Sequence, residues 1–221
     1  MKTVMITGAN RGLGLELARA FHNVPDEDRV NLILHCRRGG KLPFWGDVAD
    51  GDLRDPKTID YLAKLAFEAN LDILVNNAGI YLNKSILGMS YNEVRRVVEV
   101  NLLAPIFLTM AVWPVFARKK SGMVVNINSL AGKEGGSGES VYAATKAGLA
   151  GFSEALQFDA TRDGVRVVNV NIGAMRTDMT KDRKDQDKFI DPADAAKMIV
   201  RLCERHQSMR VTTVDLKREI Y

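Results

Sequence analysis

The chain opens with Thr3-Val4-Met5-Ile6-Thr7 and runs directly into Gly8-Ala9-Asn10-Arg11-Gly12-Leu13-Gly14. A short apolar run ending in glycine reads as a strand buried on both faces. From Leu13 onward the apolar residues Leu13, Leu17, Ala18 and Phe21 recur at helical spacing. A strand turning through three glycines into a helix is the geometry of a pyrophosphate cradle. Gly8 allows the tight turn, Gly12 lets the backbone approach the ligand, and Gly14 lets helix and strand pack closely. The helix N-terminus supplies amide donors and the positive end of its dipole. The spacing is Gly-x3-Gly-x-Gly rather than Gly-x-Gly-x2-Gly, and a plain strand–helix turn could carry the same glycines.

The rest of the chain keeps the rhythm. Strands are expected at 30–36, 71–75, 122–128, 165–171 and 211–216, and a short polar one near 47–51. Helices are expected at 91–117, tolerating Pro105 and Pro114, and at the Ala-rich 141–161. Another opens at Asp191, a good N-cap with Pro192 at the first helical position, and runs to about residue 205. Alternating strands and helices predict a doubly wound parallel sheet of the Rossmann type, one domain over 1–221. One stretch breaks the pattern. Gly39-Gly40-Lys41-Leu42-Pro43-Phe44-Trp45-Gly46 cannot make a good helix, so the second crossover helix is expected to be shortened or missing.

Composition narrows the function classes. The net charge of +4 is diffuse, and its densest run, Arg118-Lys119-Lys120, reads as a solvated helix end rather than a nucleic-acid patch. Cys36 and Cys203 fit neither a disulfide framework nor a zinc spacing and suit a reducing compartment. His22, His35 and His206 are scattered and read as structural or surface residues, so no metal site is expected. The first strand begins at residue 3, leaving no room for a signal peptide, and no run approaches the roughly 18 apolar residues of a membrane span, so none is expected. A cytoplasmic protein with no nucleic-acid or membrane partner is the expectation.

The chemistry lies in two places. The second strand ends His35-Cys36-Arg37-Arg38. A site for NAD would carry an acid there to bond the ribose 2′-hydroxyl. Arginines stand there instead, with Arg11 nearby in the loop, and guanidinium suits the 2′-phosphate of NADP(H). The second place is Tyr142-x3-Lys146, which puts a phenol and an ammonium on one helical face. The ammonium is expected to lower the phenol from its usual pKa of about 10. Ser129, at a strand end, could donate to a substrate oxygen. Asn101 is a polar residue inside an apolar helix, either solvent-facing or holding water in a proton relay.

The Thr7–Gly14 loop, Asp52-Leu53, Asn76-Asn77-Ala78-Gly79, Asn101, Ser129, Tyr142 and Lys146 together resemble the short-chain dehydrogenase/reductase family over nearly the whole chain. The resemblance implies an NADP(H)-dependent enzyme that moves a hydride between nicotinamide and a carbonyl/alcohol substrate. Tyr142 would be the general acid-base, Lys146 would bind the nicotinamide ribose and tune Tyr142, Ser129 would polarise the carbonyl, and Asn101 would hold the relay water. Gly8, Asn10, Arg11, Gly12, Leu13, Gly14 and Arg37 would hold the pyrophosphate and adenosine ribose. Asp52 and Leu53 would meet the adenine, and Asn77, Ala78 and Gly79 would support the cofactor. Thr177 after Gly173 would contact the nicotinamide amide. In such proteins the two long helices build a homodimer or homotetramer. A 3-oxoacyl or sugar-related reductase, or a non-catalytic NADP-binding sensor or scaffold, are the rival readings.

Three features depart from the family pattern. Ile172 stands where a proline is usual, the second crossover lacks its helix, and 178–188 is short and highly charged where relatives carry an apolar lid. The glycine-rich loop 133–140 is expected to be mobile.

Overall fold

In the computed structural model, which describes residues 1–38, 42, 46–204 and 209–218, seven strands form one parallel sheet. They are β1 (Lys2–Thr7), β2 (Val30–Cys36), β3 (Asp47–Asp50), β4 (Ile73–Asn76), β5 (Gly122–Ser129), β6 (Val165–Ile172) and β7 (Thr213–Leu216). Their order is 3-2-1-4-5-6-7. Inner strands read as near-continuous apolar runs because both faces are covered. Alternate residues sort to the two faces. Val4 and Ile6 pack with Leu13 and Leu17 of α1 (Gly12–His22) and Ala195 and Ile199 of α6 (Pro192–Leu202). Met5 and Val124 pack with Leu62 of α2 (Pro56–Glu68) and with Leu108 and Val112 of α4 (Ala104–Lys119). Helices therefore cover both faces, as the doubly wound expectation requires.

Helix α3 (Tyr91–Val98) continues through a π turn at Glu99–Leu103 into α4, and α5 (Ser140–Arg162) packs beside β6. The run Tyr91–Lys119 is long and apolar enough to cross a membrane, contrary to the reading that no such run exists. Its Leu108, Val112, Val115 and Phe116 are buried against the sheet, so here it is a core helix.

Helix α2 was not anticipated. Its signal was present: Asp55 caps the helix by accepting from the Lys57 amide at 3.0 Å, and Pro56 starts it, the same device as Asp191-Pro192. Between β2 and β3, the described residues Arg37, Arg38, Leu42 and Gly46 carry no helix. Residues 39–41 and 43–45 of the expected shortened crossover lie outside the described residues, as does residue 205, the expected end of α6.

The sheet also carries polar residues inward. Asn76 donates to Asn126 Oδ1 at 2.8 Å and to Thr109 Oγ1 at 3.1 Å, and Asn126 donates to Ser153 at 2.8 Å, tying β4 and β5 to α4 and α5. Nearer the C-terminal edge, Asn128 donates to Asn169, Asn169 to Asn171, and Asn171 to Asp215, at 3.0, 2.9 and 2.7 Å. This chain crosses β5, β6 and β7 and fixes their ends in register. Among the described residues no buried side-chain polar atom lacks a partner.

Candidate active site

The sheet order reverses beside β1, where β4 pairs on one side and β2 on the other. Loops leaving the C-terminal ends of β1 and β4 diverge there, and the crevice between them is where ligands bind in open parallel sheets. A cleft of about 630 Å³ opens at that point and runs along the strand ends to β6. It is lined by Gly8, Asn10, Arg11, Gly12, Leu13, Gly14, Arg37, Asp52, Leu53, Asn77, Ala78 and Gly79 from the expected set. Ser129, Tyr142, Lys146, Gly173 and Thr177 line it too. Asn101 stands behind the wall.

The glycine loop is shaped as its spacing demands. Gly8 and Gly12 have positive φ (68° and 53°). A methyl group on Gly14 would collide with the Gly8 carbonyl oxygen, so α1 can sit this close to β1 only with glycine there. Helices α2, α3 and α6 each carry a side-chain N-cap, from Asp55, Ser90 and Asp191. Helix α1 has Arg11 at its N-cap with no side-chain cap bond, so its first amides face the cleft uncapped. The residues present thus fit a dinucleotide pyrophosphate.

Asn77 fixes the loop to β4. Its Nδ2 donates to the carbonyls of Thr7 (2.8 Å) and Gly8 (3.2 Å), while Thr7 Oγ1 accepts from the amides of Asn77 and Ala78 at 3.0 Å each. His35 fixes it from the other side. Its Nδ1 accepts from the Gly8 amide at 3.4 Å and its Nε2 donates to the Gly51 carbonyl at 3.0 Å. One buried imidazole therefore bridges the glycine loop and the turn carrying Asp52. Burial pushes its pKa down, so it stays neutral, as this pair of bonds requires.

At the far end Arg37 and Arg38 line the cleft with Arg54, a residue the sequence reading passed over. Arg54 grips Asp52 in a fork, Nε to Oδ1 at 3.0 Å and Nη2 to Oδ2 at 2.7 Å, and its amide adds a third bond at 3.0 Å. This fork holds the Asp52 carboxyl down at about 2. One lone pair of Oδ2 remains for a further donor. Arg11 faces Asp178 across the cleft at 3.6 Å.

Ser129, Tyr142 and Lys146 meet at the other end. Lys146 is buried, donates to the Ile127 carbonyl at 3.0 Å, and lies 5.9 Å from the centre of the Tyr142 ring. Burial pulls its ammonium down to about 8. The Tyr142 phenol is raised, not lowered as the spacing suggested. Desolvation dominates, the Ser129 hydroxyl opposes it by bonding the phenolate, and Glu139 adds to the rise. Asn128 couples this group internally, since its Oδ1 accepts from the Ser129 amide at 2.9 Å and its Nδ2 donates to the Lys146 carbonyl at 3.0 Å.

Asn101 sits in the π turn, buried rather than solvent-facing. Its carboxamide grips Ile80, accepting from the amide at 2.9 Å and donating to the carbonyl at 2.8 Å, and reaches Thr145 Oγ1 at 3.4 Å. The loop expected to be mobile is stitched down. Asn83 donates to the Ser137 carbonyl at 3.0 Å and the Lys84 amide to the Gly138 carbonyl at 2.8 Å. Tyr81 and Glu139 of these two loops also line the cleft, and nothing in their spacing marked them. Ile172, in the family's proline position, is buried in the core, and the Gly173 amide donates to the Leu216 carbonyl at 2.9 Å. Thr177 lies against Gly12, and the segment after it returns to pair Met175 with Ile190.

Comparison with known proteins agrees with this geometry. The sequence pattern of the family described as short chain dehydrogenase matches residues 2–188. The chain is 35% identical over 199 residues to a ketoacyl reductase, HetN, of Nostoc, covering 83% of this chain and 67% of that protein. It is 32% identical over 205 residues to an NADP-dependent 3-hydroxy acid dehydrogenase of Schizosaccharomyces pombe, covering 85% and 76%. A crystal structure of a short-chain dehydrogenase from Streptomyces avermitilis superposes with a TM-score of 0.82 at 27% identity, covering 98% of this chain and 88% of that one.

The His35 bridge generates a stability test. Its folded pKa lies below the ordinary value of 6.5, so the native state binds fewer protons than the unfolded chain. The stability it contributes is complete above that value and is lost as pH falls below it. Urea midpoints should drop between about pH 7 and pH 5 in the parent, and less steeply in His35→Gln, which cannot be protonated. Equal slopes in the two proteins would remove His35 from the account.

Proposed function

This chain belongs to the short-chain dehydrogenase family, and on that premise we propose that it interconverts a carbonyl and an alcohol with NADP(H), Tyr142 serving as general acid-base. One observation carries the reading. A single cleft has uncapped helix amides and arginines at one end and Ser129, Tyr142 and Lys146 at the other. Bound NADP(H) would supply or accept a hydride. The protein's own part is to hold the substrate oxygen and move a proton at it. Ser129 can donate to that oxygen, and Tyr142 can give or take the proton through its phenol. Lys146 keeps an ammonium beside the ring and can reach the nicotinamide ribose. Asn101 braces Ile80 and, with its remaining lone pair, can hold a relay water. NADPH usually drives reduction, which makes reduction the favoured direction.

A 3-oxoacyl substrate is the nearest alternative, since one relative is named a ketoacyl reductase. A sugar-related substrate fits the short polar segment after Thr177. A non-catalytic sensor or scaffold has no use for an intact Asn-Ser-Tyr-Lys set. Two buried cysteines, neither of them in a disulfide, suit a cytoplasmic setting.

We also read the protein as a homodimer or homotetramer built on α4 and α5. Thr145, Lys146, Leu149 and Ser153 take the sheet-facing side of α5, leaving Ala144, Ala147, Gly151 and Phe158 exposed along the other. A side chain added at Gly151 would meet nothing within 4 Å in the isolated chain. Gly151→Glu should therefore fold normally yet sediment as a smaller species than the parent. A parent that sediments only as monomer at micromolar concentration would end this reading.

Tyr142→Phe should keep NADPH binding and lose turnover by about 10²–10⁴-fold or more. Turnover at a tenth of the parent rate, in a steady-state assay against ketones and aldehydes, would refute the assigned acid-base.

Arg37→Ala should weaken NADPH by roughly ten- to a hundredfold, the value of a charge-assisted phosphate contact, and leave NADH nearly untouched. Arg37 is exposed, so the preference should shrink at high salt. Calorimetric titration of both cofactors decides it, and equal affinities in the parent would contradict it.

A further inference from the structure

The wall above Tyr142 is built by two residues outside the expected set. Tyr81 lies edge-on to the Tyr142 ring, centroids 5.0 Å apart and planes at 84°. Its hydroxyl donates to Glu139 Oε1 at 2.5 Å and accepts from Asn83 Nδ2 at 3.2 Å. The other carboxylate oxygen of Glu139 accepts from the Gly136 amide at 3.0 Å. Glu139 is also the N-cap residue of α5, the helix that carries Tyr142. The carboxylate is thus held from two sides, by the Tyr81 hydroxyl and the Gly136 amide.

We propose that Glu139 and Tyr81 form a positioning pair for the reaction, Tyr81 holding the ring of Tyr142 and Glu139 holding Tyr81 while fixing a negative charge beside the phenol. The proposal rests on the reading of Tyr142 as the proton-exchanging group. Edge-to-face packing restrains the ring's rotamer and tilt, and misplacement of a reacting atom by about 1 Å is costly. The charge acts separately. Facing Tyr142 are Lys146 from α5, Ser129 from β5 and Tyr81 from the loop after β4, while Glu134 and Arg183 line the same cleft farther round. A nearby ammonium such as Lys146 favours the phenolate; desolvation first, and then the Glu139 charge, disfavour it. Partial burial, helped by the Glu139 bond, pushes the Tyr81 phenol up to about 12, which keeps Tyr81 a donor throughout the working range.

The test titrates ring-labelled tyrosine by carbon NMR, with Tyr142→Phe identifying the resonance, so no substrate is needed. Glu139→Gln keeps an acceptor for Tyr81 and removes the charge. Its Tyr142 should titrate about half a pH unit or more below the parent. Glu139→Asp retains the charge and should restore the parent titration in large part. Tyr81→Phe leaves the charge and frees the ring, so kcat should fall severalfold with NADPH affinity unchanged and the titration near the parent's. Coincident titrations of the parent and Glu139→Gln would overturn the electrostatic half, and an unchanged kcat in Tyr81→Phe the positioning half. Undiminished turnover in Tyr142→Phe would instead strike the underlying reading, a result the titration does not depend on.

Discussion

The side-chain amide of Asn77 holds the mouth of this molecule together. A glycine turn that points bare amides at a ligand has no reason to keep its shape alone, because glycine gains most from disorder. Asn77 supplies the missing constraint, donating to two successive carbonyls of the turn while Thr7 accepts two successive amides from the end of β4. The turn becomes an extension of the sheet. His35 repeats the device from the β2 side, so the loop is gripped between neighbouring strands. Loss of either grip would leave α1 misplaced along with its amides.

The same logic orders the opposite end of the cleft, by longer means. Ser129 and Lys146 sit on different elements, and Asn128 bonds the backbone of both. Asn128 is in turn the start of a one-way series of donors through Asn169 and Asn171 to Asp215, whose carboxylate is held by Lys133 at 2.7 Å. Each amide polarises the next, and an ionised acceptor at the end strengthens the series. Such a row inside a sheet would be destabilising if one member went unpaired. Its complete satisfaction explains why three asparagines can replace apolar residues near strand ends that the core would otherwise fill.

Legibility from sequence followed the length scale of the constraint. Local chemistry was readable: the glycines, the cap at Asp191 and the apolar strands each carry their reason within a few residues. Helix α2 is equally local, its reason lying in Asp55-Pro56 at its start. What depends on distant pairing was invisible. Nothing around His35 signals that it will bridge Gly8 and Gly51. Nothing in Tyr81 or Glu139 announces the other, 58 positions away. The loop 133–140 looked mobile because its glycines were visible and its partners Asn83 and Lys84 were not. Asn101 was found as an anomaly, but the π turn that buries it is a departure from helical period that no periodicity can report. Arg54 escaped because an arginine two residues past an aspartate usually means only a solvated pair.

The raised phenol at Tyr142 shows why spacing alone misjudges a buried phenol–ammonium pair. Placing a lysine four residues on suggests one effect, an ammonium that favours phenolate. Folding adds another of opposite sign, because the burial that brings the two together disfavours both charged forms. Here burial draws the ammonium down to about 8 and the phenol up, with Glu139 adding to the phenol's rise. A neutral phenol is thereby favoured over the phenolate, and nearby groups set by how much. Ser129 favours phenolate by hydrogen bonding, and Glu139 opposes it by charge. A site of this kind does not need one residue with an extreme pKa. On the proposed reading, a bound cofactor and substrate oxygen would shift the phenol's ionisation, and the walls on both sides of Tyr142 would hold the ring while they do so.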